Sequence, residues 1–173
     1  MEEDMERVSK HNYYLDIAQT VAERATCLRK KYGSIIVKND VIVSTGYNGS
    51  PRGRKNCTDI NFCMRDKLQI PRGERYEMCR SVHSEQNAII AAPREQMLGA
   101  TLYMVCVDPN DGSIVSGTTS CMMCKRVVIN AGISTVIVRD DKENYRIIDV
   151  QSWVDDAFCT DFVHRHYHDV TQV

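Results

Sequence analysis

The stretches VHSEQNAII (residues 82–90) and TSCMMCKRVVINAGI (residues 119–133) decide how this chain is read. Each begins with chemistry-bearing side chains and runs into an apolar-periodic segment of helical spacing. The first holds His83 and Glu85; the second holds Cys121 and Cys124. Alone, a Cys-x-x-Cys pair is ambiguous: half of a structural zinc site, a redox pair or chance. Alone, His83 is an ordinary residue at a helix start, and Glu85 is a first-turn acid that suits the helix dipole. Together they make a narrower pattern. His83, Cys121 and Cys124 supply three ligands of the type zinc prefers and leave a fourth position for water, the mark of a catalytic zinc. A helix turns about 100° per residue, so Glu85 need not share the metal with His83 and can stand beside the open position as a proton carrier.

Working outward, residues 12–30 have helical spacing and good helix formers. Gly33 to Gly46 contains two β-branched runs around Asn39-Asp40 and reads as a β-hairpin. Residues 47–80 show no period and read as a long loop; such loops are functional or tied down. Ser84–Ala92 is helical and stopped by Pro93, residues 101–107 form a strand, DPNDG is a turn, 121–131 is a helix closed by Gly132, and 134–139 is a strand. Strands alternating with helices predict an α/β fold, a mixed sheet covered by helices. Residues 140–173 carry no clear pattern.

Bulk properties fit this. The 173 residues are 43% hydrophobic and 26% charged, with net charge -1. One domain of this size buries its own core. The sequence pI of about 6.5 gives no electrostatic footprint for nucleic acid. No apolar run reaches the ~20 residues that cross a bilayer, and the acidic start MEEDMERVSK lacks the apolar stretch of a secretory signal. A cytoplasmic location is the expectation. Eight cysteines (27, 57, 63, 79, 106, 121, 124 and 159) then read as metal ligands where grouped and as buried apolar residues where isolated, as for Cys106 and Cys159. Trp153 reads as packing, and the alternating His164, His166 and His168 as a solvated tail.

The constellation resembles the zinc-dependent nucleoside and nucleotide deaminases, whose signature is H-x-E followed by P-C-x-x-C. Within them it is most similar to the deoxycytidylate (dCMP) deaminases. KYGSIIV around Gly33, GYNGSPRG at 46–53, NC at 56–57, GERYEMC at 73–79 and the two opening stretches carry the likeness, which spans about residues 13–139. It implies a three-layer α/β/α cytidine-deaminase-like fold in a single domain over 1–173. It further implies hydrolysis of dCMP to dUMP and ammonia by zinc-activated hydroxide, with Glu85 as proton shuttle. Asn48 then meets the sugar, the backbone at Ser84 the base edge, and Ser50, Arg52 and Tyr145 the region of the phosphate. A second, structural zinc is expected on Cys27 and Cys57, with Cys79 as third ligand and Cys63 as fourth. A homo-oligomer, hexameric in the family, regulated by dCTP and by dTTP with Mg2+ is also implied, with Arg94 as an effector contact. Two features depart from the pattern. Ser120 replaces the Pro before the first Cys, where a serine can cap the helix. Residues 108–119 form an insertion with a turn or hairpin, which keeps open a deaminase of another nucleoside, nucleotide or related ring. A non-catalytic zinc-stabilised nucleotide-binding module would share the ligands without needing Glu85.

Overall fold

A computed structural model describes residues 7–155 of the chain; Cys159, His164, His166 and His168 lie outside the described residues. Helix α1 (Lys10–Ala22) starts at Ser9, whose side chain accepts from the Asn12 N–H at 3.2 Å. It ends eight residues earlier than the spacing up to residue 30 predicts. The chain tightens into i→i−3 bonds at Glu23, Arg24 and Ala25, and the Thr26 N–H then pairs with Asn48 O. A tertiary bond thus overrides helix propensity, and Cys27 lies in the connection rather than on the helix.

Strands β1 (Lys31–Lys38) and β2 (Val41–Tyr47) form the expected hairpin. Asn39 and Asp40 turn it with φ of 50° and 62°, the left-handed pair that matches strand twist. Residues between β2 and the next long helix are not structureless: they carry α2 (Cys57–Ile60), α3 (Met64–Lys67) and a 3-10 turn at Tyr76–Met78. Helix α4 (Ser84–Ile90) follows, and Pro93 begins the separate turn α5 (Arg94–Met97). Strand β3 (Thr101–Val107), helix α6 (Met122–Ala131) and strand β4 (Thr135–Arg139) complete the parallel crossover. Gly132 caps α6 at φ 82°. The last described elements, β5 (Tyr145–Asp149) and α7 (Gln151–Asp155), had no counterpart in the sequence pattern.

The sheet order is β2-β1-β3-β4-β5, with only β3 and β4 parallel. Its inner strands are apolar on both faces because both faces are covered. Tyr14, Leu15, Ala18 and Ala22 of α1 pack on Ile35, Val37, Val105 and Ile137. Ala88 of α4, Val128 of α6 and Trp153 of α7 pack on Ile36, Leu102, Met104 and Val136 from the other side. This is the expected three-layer α/β/α arrangement. Gly33 permits the first packing: a β-carbon there would lie 2.0 Å from Ala18 O. The antiparallel pairing of β1 with β2 and β3 brings the start of β1 and the ends of β2 and β3 to one edge. A cavity opens at that edge, before the first turns of α4 and α6.

Candidate active site

His83 is the N-cap of α4 and Cys121 is the N-cap of α6. Both ligand candidates therefore stand at positive helix ends, which favour thiolate charge. The start of α4 is fixed twice. Val82 and Gly49 exchange backbone hydrogen bonds at 3.1 and 2.8 Å, and the His83 N–H donates to Gln86 Oε1 at 3.0 Å. His83 Nδ1 lies 3.5 Å from Cys121 Sγ and 3.4 Å from Cys124 Sγ. Zinc held tetrahedrally at Zn–N of 2.0–2.1 Å and Zn–S of 2.3 Å requires an N···S edge of about 3.6 Å. The donor set and its spacing fit zinc. Among the described residues, this is the cluster of three ligand side chains whose donor atoms lie within 4.8 Å of one another.

The metal-free electrostatics are those of a ligand set waiting for a cation. Hydrogen bonding from Cys124, and then from His83, holds the Cys121 thiol down to about 4. Sharing that bond with Cys121, together with burial and the nearby Glu85, pushes Cys124 upward. Burial opposes charge on His83, but Cys121, Cys79 and Glu85 outweigh it and raise His83 to about 10. Glu85 is 4% exposed, so an acid in this cavity is shielded from bulk water.

The cavity encloses about 200 Å3. His83, Ser84, Glu85 and Cys121 line it together with Tyr32 and Asn48. The Asn48 amide is engaged by backbone: Oδ1 accepts from the Tyr32 N–H at 2.8 Å and Nδ2 donates to Lys30 O at 2.9 Å. One lone pair and one N–H remain free for a ligand. Arg65 is 6% exposed, donates to the carbonyls of Pro71 and Glu74 at 2.7 and 2.8 Å, and lies 4.3 Å over the Tyr76 ring. Tyr76 in turn meets the His83 ring edge-on at 5.1 Å. The long connection is thus anchored on a buried guanidinium and closes against a candidate metal ligand. The insertion also forms a wall: Val115 and Thr119 line the cavity, Val115 N–H bonds Cys106 O, and Asp108 pairs with Lys30. It folds back along β3, as a turn or hairpin should.

Several expected residues lie elsewhere. Arg52 is exposed and does not line the cavity; Ser50 does not line it either, although its hydroxyl is buried without a partner among the described residues. Tyr145 packs on the α1 side of the sheet, 5.3 Å from the His11 ring, the face opposite α4 and α6. Arg94 is exposed at the start of α5, outside the cavity. Ser120 does not cap α6; Cys121 does, and the buried Ser120 hydroxyl has no partner among the described residues. Cys27, Cys57, Cys63 and Cys79 line the same cavity as His83 and Cys121. Burial raises the Cys57 thiol first, Cys27 raises it further, a hydrogen bond with Ser81 opposes this, and Cys79 and Cys63 add smaller upward effects. The four cysteines do not form a compact set like that at His83. The residues missed from sequence are Arg29, Lys30, Arg65, Arg72 and Tyr76. Arg65, Arg72 and Tyr76 come from the aperiodic 47–80 segment, where only the basic character of the two arginines hinted at a role, and Arg29 and Lys30 lie at the end of a stretch whose spacing reads as helix.

A family model described as the cytidine and deoxycytidylate deaminase zinc-binding region matches residues 8–139. The chain belongs to the cytidine and deoxycytidylate deaminase family. It is 34% identical over 137 residues to a deoxycytidylate deaminase of Mycobacterium phage D29, covering 77% of this chain and 96% of the relative. It is 28% identical over 131 residues to a deoxycytidylate deaminase of Schizosaccharomyces pombe, covering 76% of this chain but only 37% of that relative. The fold is shared with a dCMP deaminase from cyanophage S-TIM5, at a TM-score of 0.54 and 24% identity over 79% of this chain and 86% of that one. Among the described residues, no helix is long and apolar enough to cross a membrane.

Proposed function

We propose that this chain hydrolyses dCMP to dUMP and ammonia. The observation that carries the reading is the cluster of His83, Cys121 and Cys124, with His83, Cys121 and the buried Glu85 lining a cavity that Arg29, Lys30, Arg65 and Arg72 also line. The phage relative matched along nearly its whole length, named a deoxycytidylate deaminase, supports the substrate class.

His83, Cys121 and Cys124 would hold a zinc ion, which would supply Lewis acidity and make water reactive near neutral pH. Glu85 accepts the proton of the attacking water, returns it to ring N3, and carries a second proton to the departing amine. The balance is one water consumed and one ammonia released. The backbone N–H of Ser84, in the first turn of α4, has no intrahelical partner and holds the base edge. The free lone pair and N–H of Asn48 meet the sugar. The phosphate falls to Arg29 and Arg72 rather than to Arg52. Arg29 Nε pairs with Asp66 at 3.2 Å while its buried Nη1 has no partner among the described residues, Arg72 makes no hydrogen bond or ion pair among them, and both line the cavity. Ser50 remains a candidate beside them through its unpartnered hydroxyl.

Cys27, Cys57, Cys63 and Cys79 hold a second, structural zinc in the same reading, which ties the long connection down. All four cysteines line one cavity, which supports it; metal analysis should then find about two zinc ions per chain. A homo-oligomer, cytoplasmic location and control by dCTP or by dTTP with Mg2+, with Arg94 exposed for an effector, complete the reading. The test is ammonia and dUMP production from dCMP, dCTP and deoxycytidine. A preference for dCMP is expected. Equal turnover of deoxycytidine contradicts phosphate recognition.

A further inference from the structure

Behind the carboxylate runs a sealed chain of hydroxyls. Ser34 Oγ lies 2.8 Å from Ser84 Oγ, and Ser84 Oγ lies 3.1 Å from Glu85 Oε2. Ser34 and Ser84 are 0% exposed and Glu85 is 4% exposed. The direction of the chain follows from counting protons. A carboxylate only accepts, so Ser84 donates to Oε2; its hydroxyl has one proton, so it must accept from Ser34. Oε2 is thereby committed to Ser84, and the carboxylate's other close neighbour is the Cys124 thiol. The end torsion of a glutamate is broad and roughly two-fold, so without a donor either oxygen can face the cavity.

The chain also ties two elements together. Ser34 belongs to β1, an inner strand held on one side by β2 opposite Gly46 and on the other by β3 opposite Met104. Ser84 and Glu85 belong to the first turn of α4. The carboxylate is therefore oriented by the sheet as well as by its own helix. A group that must accept and release a proton at set positions loses rate when its orientation is free.

We propose that Ser34 and Ser84 are positioning residues that act in series on Glu85, fixing Oε2 so that Oε1 alone carries the proton. This rests on the deaminase reading above. The test is a double-mutant cycle on the zinc-loaded enzyme with dCMP. Ser84→Ala keeps the backbone N–H and removes the donor; kcat should fall about 10–100-fold, the usual loss for a supporting partner of an active-site group. KM and zinc content should be unchanged. Ser34→Ala should lower kcat by less, but by more than about twofold. The pair should be no worse than Ser84→Ala alone, because the second link of a broken series adds nothing. Two independent packing defects would instead multiply. The proposal is overturned by a Ser84→Ala kcat within about twofold of wild type, or by multiplicative losses in the pair. If Ser84→Ala does not fold, Ser34→Ala decides alone: an unchanged kcat overturns the proposal, and a fall in kcat with KM and zinc content held supports it. Wild-type protein that releases no ammonia from dCMP overturns the deaminase reading itself, a failure distinct from normal wild-type turnover with insensitive serines.

Discussion

Replacing Gly46 with Ala should disable the site without touching a ligand. Gly46 lies in β2, and a β-carbon there would sit 2.3 Å from both Ser84 O and Ala88 N, and 2.9 Å from Asn87 C. Ordinary contact begins at 3.4 Å, so α4 must retreat by about 1.1 Å. These are backbone atoms, and no rotamer change relieves the clash. The strand is held by its ladder to β1, and the helix by Ser44 Oγ donating to Ala88 O at 2.7 Å, so the movement strains both. His83 and Glu85 ride on α4, whereas Cys121 and Cys124 belong to α6. A 1.1 Å shift changes N···S edges of 3.4 and 3.5 Å by up to about a third. Overpacking of this kind costs about 1–3 kcal/mol of stability. A displacement near 1 Å costs about 100-fold in turnover. The assay combines urea unfolding, zinc content and kcat on dCMP. Gly99→Ala is the control: its φ is 73° but nothing lies within 4 Å, so it should lose stability through backbone strain and keep zinc and kcat. A Gly46→Ala enzyme with full zinc and wild-type kcat would refute the link from strand packing to site geometry.

Zinc uptake should release protons. At neutral pH without metal, His83 is protonated, Cys124 is protonated and Cys121 is a thiolate. The bound form needs neutral His83 and two thiolates, so about two protons leave per zinc, and affinity rises with pH in this range and falls on acidification. Calorimetry in two buffers of different ionisation enthalpy measures the number; zero release contradicts the assignment. Arg65→Met should cost about 1–3 kcal/mol by leaving the Pro71 and Glu74 carbonyls without their donor. Hydrogen exchange across residues 64–79 should speed up, and unchanged exchange would count against the anchoring role. Arg72→Ala should raise KM for dCMP about tenfold while leaving deoxycytidine turnover unaltered; equal effects on both substrates would remove Arg72 from phosphate recognition.

The site was legible because its chemistry is local. His83, Glu85, Cys121 and Cys124 fall on two helix starts, and helix starts announce themselves through periodicity and capping. The hairpin was legible for the same reason, since Asn39-Asp40 suits left-handed backbone. What stayed hidden is held by contacts distant in sequence. Ser34 stands 50 positions from its partner Ser84 and looks like any strand serine. Arg65 serves carbonyls in an irregular loop. The end of α1 is set by pairing with Asn48, not by its own residues. Strand β5 lies at a sheet edge, and its half-exposed residues give only weak alternation. Tyr145 was placed near the phosphate by resemblance, but the face of the sheet on which it packs could not be read from its position in the chain.

The central claim is that Glu85 moves protons at a zinc held by His83, Cys121 and Cys124. Glu85→Ala, assayed for dUMP formation and metal content in one preparation, tests it most directly. The account predicts that the zinc at this site is retained and that kcat falls by about 100- to 10,000-fold. Wild-type turnover by that variant with its zinc in place would contradict it.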